Sequence, residues 1–195
     1  MAFDEAFLKR LAKEKVIGDF PPFDTGNINK VEKYIRKITH RLKDNHQIII
    51  EPDFEYYGSG FASYINVQIS KKDKSDTKTT QENNKLTHWT KGILVYISNL
   101  TPYWYYGASE WTISKDNGNY IGGSSGFLRP ENIDKVDTEI WSAEIEKIKT
   151  VFNQFKYRLL TKEELEKQVD FDVSVRTILA DKPYEVFDFF FHWED

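Results

Sequence analysis

Residues 91–121 read KGILVYISNLTPYWYYGASEWTISKDNGNYI, and three features of this stretch decide the fold class. The run KGILVYIS is short, apolar and rich in β-branched residues, which predicts a buried strand. Residues 103–113 read as a second, aromatic-rich strand whose side chains alternate between two faces. Asn117-Gly118 is a strong hairpin signal, because both positions of a tight two-residue turn need positive φ. Strands joined in this way predict an antiparallel sheet.

Helical periodicity flanks this strand region on both sides. Residues 3–16 and 27–44 carry apolar residues at three- and four-residue intervals, and Asn27 is a suitable N-cap for the second helix. The clearest amphipathic helix is predicted near 137–159. The TKEE motif that begins at Thr161 predicts a short helix with a capping box.

Other segments complete the predicted architecture. The polar run at 71–88 predicts a solvated, mobile loop. We therefore predict an α+β fold as a single domain over 1–195, with two N-terminal helices, one long helix and a mostly antiparallel sheet of about six strands. The additional strand-like segments are 47–57, 61–70, 169–175 and 184–193.

Composition and charge exclude several classes of function. The absence of cysteine excludes disulfides, thiolate zinc sites and a cysteine nucleophile, and it suits a reducing cytoplasm. Asp4 and Glu5 lie where a signal peptide would be cationic, and no apolar run approaches the ~20 residues of a membrane span. Residues 161–195 hold ten acidic and four basic residues, which disfavours nucleic acid and favours a cationic partner. We expect a cytoplasmic protein with neither a nucleic-acid nor a membrane partner.

Alternation along two predicted strands suggests a binding face. In 103–113 the odd positions, which include Trp111 and Ile113, form the better core face, and the even positions point away from it. The same division of 184–193 leaves a second face that mixes aromatic and acidic groups without lysine, as protein-binding patches do. The alternative is that a helix covers this second face as well, making its aromatic residues part of the core. The partner-binding residues predicted on it are Trp104, Tyr106, Glu110, Asp188, Phe190 and His192.

Catalytic signatures are weak by comparison. GGSSG at 122–126 matches G-x-S-x-G with Ser124 at the nucleophile position, but a hairpin arm precedes it, so we interpret it as a glycine-rich loop. His192 beside Glu194 or Asp195 leaves open a small hydrolase or transferase with a carboxylate–histidine site. No metal or cofactor motif occurs, and we expect no catalytic residues, no metal and no cofactor.

In general character the chain resembles the small, acidic, aromatic-rich immunity proteins that bacteria encode beside polymorphic or contact-dependent toxins. The resemblance rests on composition and architecture, and no functional residue is carried over from it. It implies a non-enzymatic protein that binds a cognate toxin in the cytoplasm, with a basic toxin domain as the expected partner, and occludes the toxin's active site. The alternatives are the hydrolase or transferase above, and a structural domain that uses its outward aromatic residues as a homodimer interface.

Overall fold

Two 14-residue strands, β5 (Lys85–Ser98) and β6 (Tyr103–Asp116), form the centre of the computed structural model. The structure describes residues 3–58 and 60–194. The two strands pair antiparallel along almost their whole length, from Lys85 opposite Asp116 to Ile97 opposite Trp104. Most of the other strands of the main sheet pair directly with one of these two.

The main sheet has seven strands and is antiparallel except at one short strand. The other strands are β1 (Ile48–Asp53), β2 (Phe61–Ala62), β3 (Tyr64–Lys71), β4 (Thr77–Glu82), β7 (Asn119–Ser125), β8 (Arg158–Leu159) and β9 (Trp193–Glu194). The strand order of the main sheet is β1–β3–β5–β6–β7, with β4 beside residues 85–90, the outer half of β5, and β8 parallel to β6. A separate pair, β2 with β9, joins the start of the sheet region to the C-terminal segment.

Within the described residues five α-helices accompany the sheet, and two of them, α2 and α4, begin at the predicted caps. The side chain of Asn27 accepts a hydrogen bond from the Lys30 amide, and Thr161 and Glu164 form the reciprocal capping box. The long helix ends earlier than predicted, because the chain turns through Lys156 at φ +57°. The helices are α1 (Glu5–Leu11), α2 (Ile28–Leu42), α3 (Thr138–Gln154), α4 (Lys162–Leu165) and α5 (Val186–Phe190).

Both faces of the inner half of the sheet are covered. Helices α2 and α3 pack on one face, where Trp104 stacks on Phe152 with ring centroids 4.0 Å apart and an interplanar angle of 8°. Helices α1, α4 and α5 and the C-terminal segment pack on the other, around Tyr64, Tyr96 and Tyr105. The predicted α+β class with a mostly antiparallel sheet is confirmed. Within the described residues, no helix combines the length and the apolar character that crossing a bilayer requires.

The segment 71–88 is not the loop that its polarity predicts. Residues 77–82 form β4, which pairs with residues 85–90 of β5, and the turn between them is Asn83-Asn84. Threonines at 77, 79 and 80 favour extended backbone. Because the side chains of β4 after Thr77 are all exposed, no apolar periodicity marks the strand. The prediction was wrong because a strand exposed on both faces resembles a loop in composition.

The C-terminal strand predictions were also wrong. Residues 169–175 form no strand, and half of 184–193 is occupied by α5, while only Trp193 belongs to a strand, β9. The Glu185 amide donates to the Asp188 carboxylate at 2.8 Å, an interaction that begins a helical turn. The capping interaction thus favours a helix in this segment despite the alternating pattern. The two strand faces that alternation assigned to 184–193 are therefore absent.

Replacing Trp104 with alanine should destabilise the protein substantially. The ring is only 1% exposed and its stack on Phe152 attaches α3 to the sheet, so we expect the free energy of unfolding to fall by ~3–5 kcal/mol. Chemical denaturation measures this loss. The matched control is Trp89→Ala, whose ring is 52% exposed, with an expected loss below ~1 kcal/mol. Equal losses in the two variants would show that α3 does not cover this face.

Candidate functional site

Five of the six residues predicted to bind a partner are buried. Helix α3 covers the sheet face that carries Trp104 and Tyr106 of β6. The three predicted residues of the C-terminal segment lie in or next to α5 and are buried on the opposite side of the sheet. Only Glu110 is exposed. The predicted patch is therefore corrected: the buried members are Trp104, Tyr106, Asp188, Phe190 and His192.

The two β6 residues belong to the core beneath α3. The Trp104 and Tyr106 rings stack with centroids 5.6 Å apart, and burial raises the pKa of the Tyr106 hydroxyl. Alternation separates them correctly from Tyr105 on the other face. The error was in assuming that only one of the two faces would be covered.

Asp188 and Phe190 serve the internal structure of the C-terminal segment. Phe190 contacts Phe3 at a centroid distance of 4.9 Å and so helps to attach α1. Asp188 caps α5 and faces the Arg129 guanidinium at 3.7 Å, and burial is the main cause that raises the pKa of its carboxyl group. Neither side chain is available to a partner.

His192 is a buried structural residue. Its backbone amide donates to the Ser63 hydroxyl at 2.8 Å, and its Nδ1 lies 3.3 Å from the Phe189 carbonyl oxygen. Among the described residues its Nε2 has no hydrogen-bond partner. Burial lowers the pKa of His192 to about 4, so the ring is neutral at physiological pH.

The groups considered for catalysis are not assembled around His192. The Glu194 carboxylate pairs with Arg176 at 2.6 Å, and Asp195 lies outside the described residues. Ser124 lies on exposed β7, where its hydroxyl is 2.9 Å from that of Thr112. Within residues 3–58 and 60–194, no three histidine or carboxylate groups form a cluster suited to a metal ion.

An open groove lies where β5 and β6 extend past α3. This groove has a volume of about 900 Å³. Its floor is formed by β5 and β6, one side by the segment that leads into β4, and the other by residues 126–127 and the N-terminal turn of α3. Glu110, the one predicted residue that remains exposed, is part of its lining.

An ordered tryptophan occupies the floor of the groove. The Glu110 carboxylate accepts a hydrogen bond from Trp89 Nε1 at 3.1 Å, and its other oxygen lies 3.1 Å from Lys91 Nζ. The hydrogen bond from Lys91 is the main cause that holds the pKa of Glu110 below its ordinary value, and the bond from Trp89 adds to it. The indole is thus held at its polar end while its apolar ring stays in contact with water.

A second apolar region borders the groove at α3. Phe127 is 40% exposed and Ile140 is 45% exposed, and both line the groove. Next to Ile140, Lys71 forms a buried ion pair with Glu144 at 2.7 Å and donates to the Ile140 carbonyl oxygen at 2.8 Å. Because these contacts join β3 to the first turns of α3, this side of the groove is rigid.

Trp89, Phe127 and Ile140 were missed in the sequence. Trp89 follows directly after the run interpreted as a loop, so it was not considered as part of a strand. The Asn83-Asn84 pair between two threonine-containing runs was the signal that could have revealed the hairpin. No local pattern indicates that Phe127 and Ile140 line one groove, because they belong to different segments of the chain.

Comparison with protein-family models, with curated proteins and with solved structures finds no match for this chain.

Lowering the pH should destabilise the protein through His192. Its pKa is about 4 in the folded state and about 6.5 when unfolded, so the unfolded chain binds the proton more readily between these values. This group leaves stability unaffected well above pH 6.5 and lowers it progressively toward pH 4. We expect protonation of His192 to lower the free energy of unfolding by about 2 kcal/mol between pH 7 and pH 5, as measured by urea denaturation.

Matched variants assign this pH dependence to the residue. His192→Leu should lose this part of the pH dependence, whatever its stability at pH 7. His88→Leu, at a partly exposed strand position that contacts Thr79, should retain it. An unchanged slope in His192→Leu would show that the imidazole is not buried in its neutral form.

Proposed function

We infer that this chain is a cytoplasmic, non-enzymatic protein-binding module. It binds a protein partner in the groove where β5 and β6 extend past α3. A toxin domain is the partner class that the resemblance to immunity proteins favours, with occlusion of the toxin's active site as the mechanism. The groove replaces the buried patch predicted from the sequence, and Glu110 is common to both.

The observation that carries this proposal is the exposed Trp89 ring fixed by Glu110. Tryptophan is enriched among the residues that dominate binding energy at protein interfaces. A ring already ordered before binding loses little conformational entropy when a partner covers it. Phe127 and Ile140 extend the apolar surface that a partner would remove from water.

Charge around the groove would orient the partner. Lys78 and Lys135 are exposed in its lining, and neither takes part in an ion pair among the described residues. Glu110, in contrast, is already engaged by Lys91. An apolar segment flanked by carboxylates is therefore the partner feature that best complements the groove.

The acidic C-terminal region contributes less than its composition suggests. Several of its carboxylates are paired with nearby cations, which reduces the field available to steer a basic partner. The net charge of −4 still favours a basic protein at long range, while contact inside the groove selects for apolar surface. The paired carboxylates are Glu164, Glu166, Asp172, Asp188 and Glu194.

Replacing Trp89 with alanine should weaken partner binding without unfolding the protein. The test partner is the purified product of the adjacent reading frame, and calorimetry or surface plasmon resonance measures the affinity. We expect a loss of at least ~30-fold, as for a central interface tryptophan. If that product is a toxin, co-expressed Trp89→Ala should also protect cells less well than the unaltered chain.

The control for this experiment is Ile178→Ala, which removes an exposed apolar side chain that does not line the groove. Its affinity should equal that of the unaltered chain. Unchanged affinity in Trp89→Ala, with partner binding otherwise intact, would exclude the groove as the binding site. No binding to the adjacent product would reject the proposed partner.

A further inference from the structure

Strand β7 forms an outer edge of the main sheet and carries no charged residue. It pairs with β6 on one side only, and it reads NYIGGSS over residues 119–125. Six of these seven residues are exposed, including the large side chains of Tyr120 and Ile121. In any edge strand, alternate residues direct their backbone N–H and C=O groups outward.

The other long edge strands carry the features that normally prevent pairing between molecules. Edge strands are protected by charged side chains and by proline, because an unprotected edge can pair with another chain. β1 contains Glu51 and Pro52, and β4 contains Lys78 and Glu82. β7 has neither a charge nor a proline. A register shift against Ser114 and Lys115 makes Ile121 a bulge, but residues 122–125 keep regular pairing with β6, so this part of the edge lacks the protective features of β1 and β4.

We propose that β7 pairs antiparallel with β7 of a second copy of this chain, forming a two-fold symmetric dimer with a continuous sheet. In such a pair the N-terminal end of one β7 lies beside the C-terminal end of the other. The bulky end of one strand, Tyr120 and Ile121, therefore lies near the small residues Ser124 and Ser125 of the other copy. No like charges meet across the axis, which would be unavoidable if a charge lay near the centre of the strand.

The glycines at the centre of β7 suit this arrangement. A Cβ added to Gly122 would meet no atom within 4 Å, so the sheet face at this residue is open. Aromatic side chains from a neighbouring strand can cover glycines and so compensate for their missing side chains. Tyr120 of one copy can cover Gly122 of the other in this way.

The dimer is expected to be weak and to depend on concentration. One seven-residue edge buries less surface than the ~1,200 Å² typical of stable complexes. Micromolar dissociation is the corresponding expectation. The proposal does not depend on the function assigned to the groove, since it uses only the edge of β7.

Sedimentation of the full chain over a range of about 1 to 300 µM tests this self-association. The unaltered chain should shift from 23.0 kDa toward twice that mass. Ile121→Lys places a charge on the edge and should weaken the dimer at least ~10-fold. Thr80→Lys places the same charge on exposed β4 and should leave the dimer unchanged. A chain that stays monomeric throughout, or an Ile121→Lys dimer of unaltered strength, would overturn the proposal.

A second measurement does not rely on the variants folding normally. Amide hydrogen exchange of the unaltered chain at the two ends of this concentration range should show added protection confined to 119–125. Added protection elsewhere, with none in β7, would place the contact on another surface and reject the edge pairing.

Discussion

The ladder between β5 and β6 is longer than the helix that covers it, and the arrangement of the molecule follows from this difference. Fourteen extended residues span about 47 Å, whereas the 17 residues of α3 span about 25 Å. The inner half of the ladder therefore lies between two helical layers and carries aromatic and aliphatic side chains. The outer half extends beyond the covering helices, so threonine, serine and lysine are frequent there, although Trp111 is buried on the face away from α3.

The groove lies at the boundary between these halves. On the face toward α3, coverage stops near Ile140 and leaves Trp89 exposed beside Glu110. On the opposite face the ring of Trp111 lies across Gly92, where an added Cβ would be 2.3 Å from its Cη2 atom. The floor of the groove is thus supported from behind and open in front, which combines a rigid backbone with an accessible aromatic surface.

Sequence patterns predicted the features that depend on short-range interactions. The Asn117-Gly118 turn, with both residues at positive φ, and the Thr161 capping box depend on neighbouring residues only, and both were predicted. Alternation along β6 separated Trp104 from Tyr105 correctly, but it carries no information on whether a second layer covers a face. Trp89 was missed because it directly follows the polar run 71–88, which was interpreted as a loop although its last residues begin β5. The candidate site was therefore predictable only at Glu110.

Amide hydrogen exchange along β5 tests this division of the sheet most directly. The amides of Ile93, Val95 and Ile97 lie between two helical layers and should exchange only through global unfolding. The amides of residues 86–90 are hydrogen-bonded in a part of the sheet without a covering layer, so we predict exchange at least ~100-fold faster through local opening. Uniform protection along the whole strand would contradict the division into a covered half and an open half, and with it the placement of the binding groove.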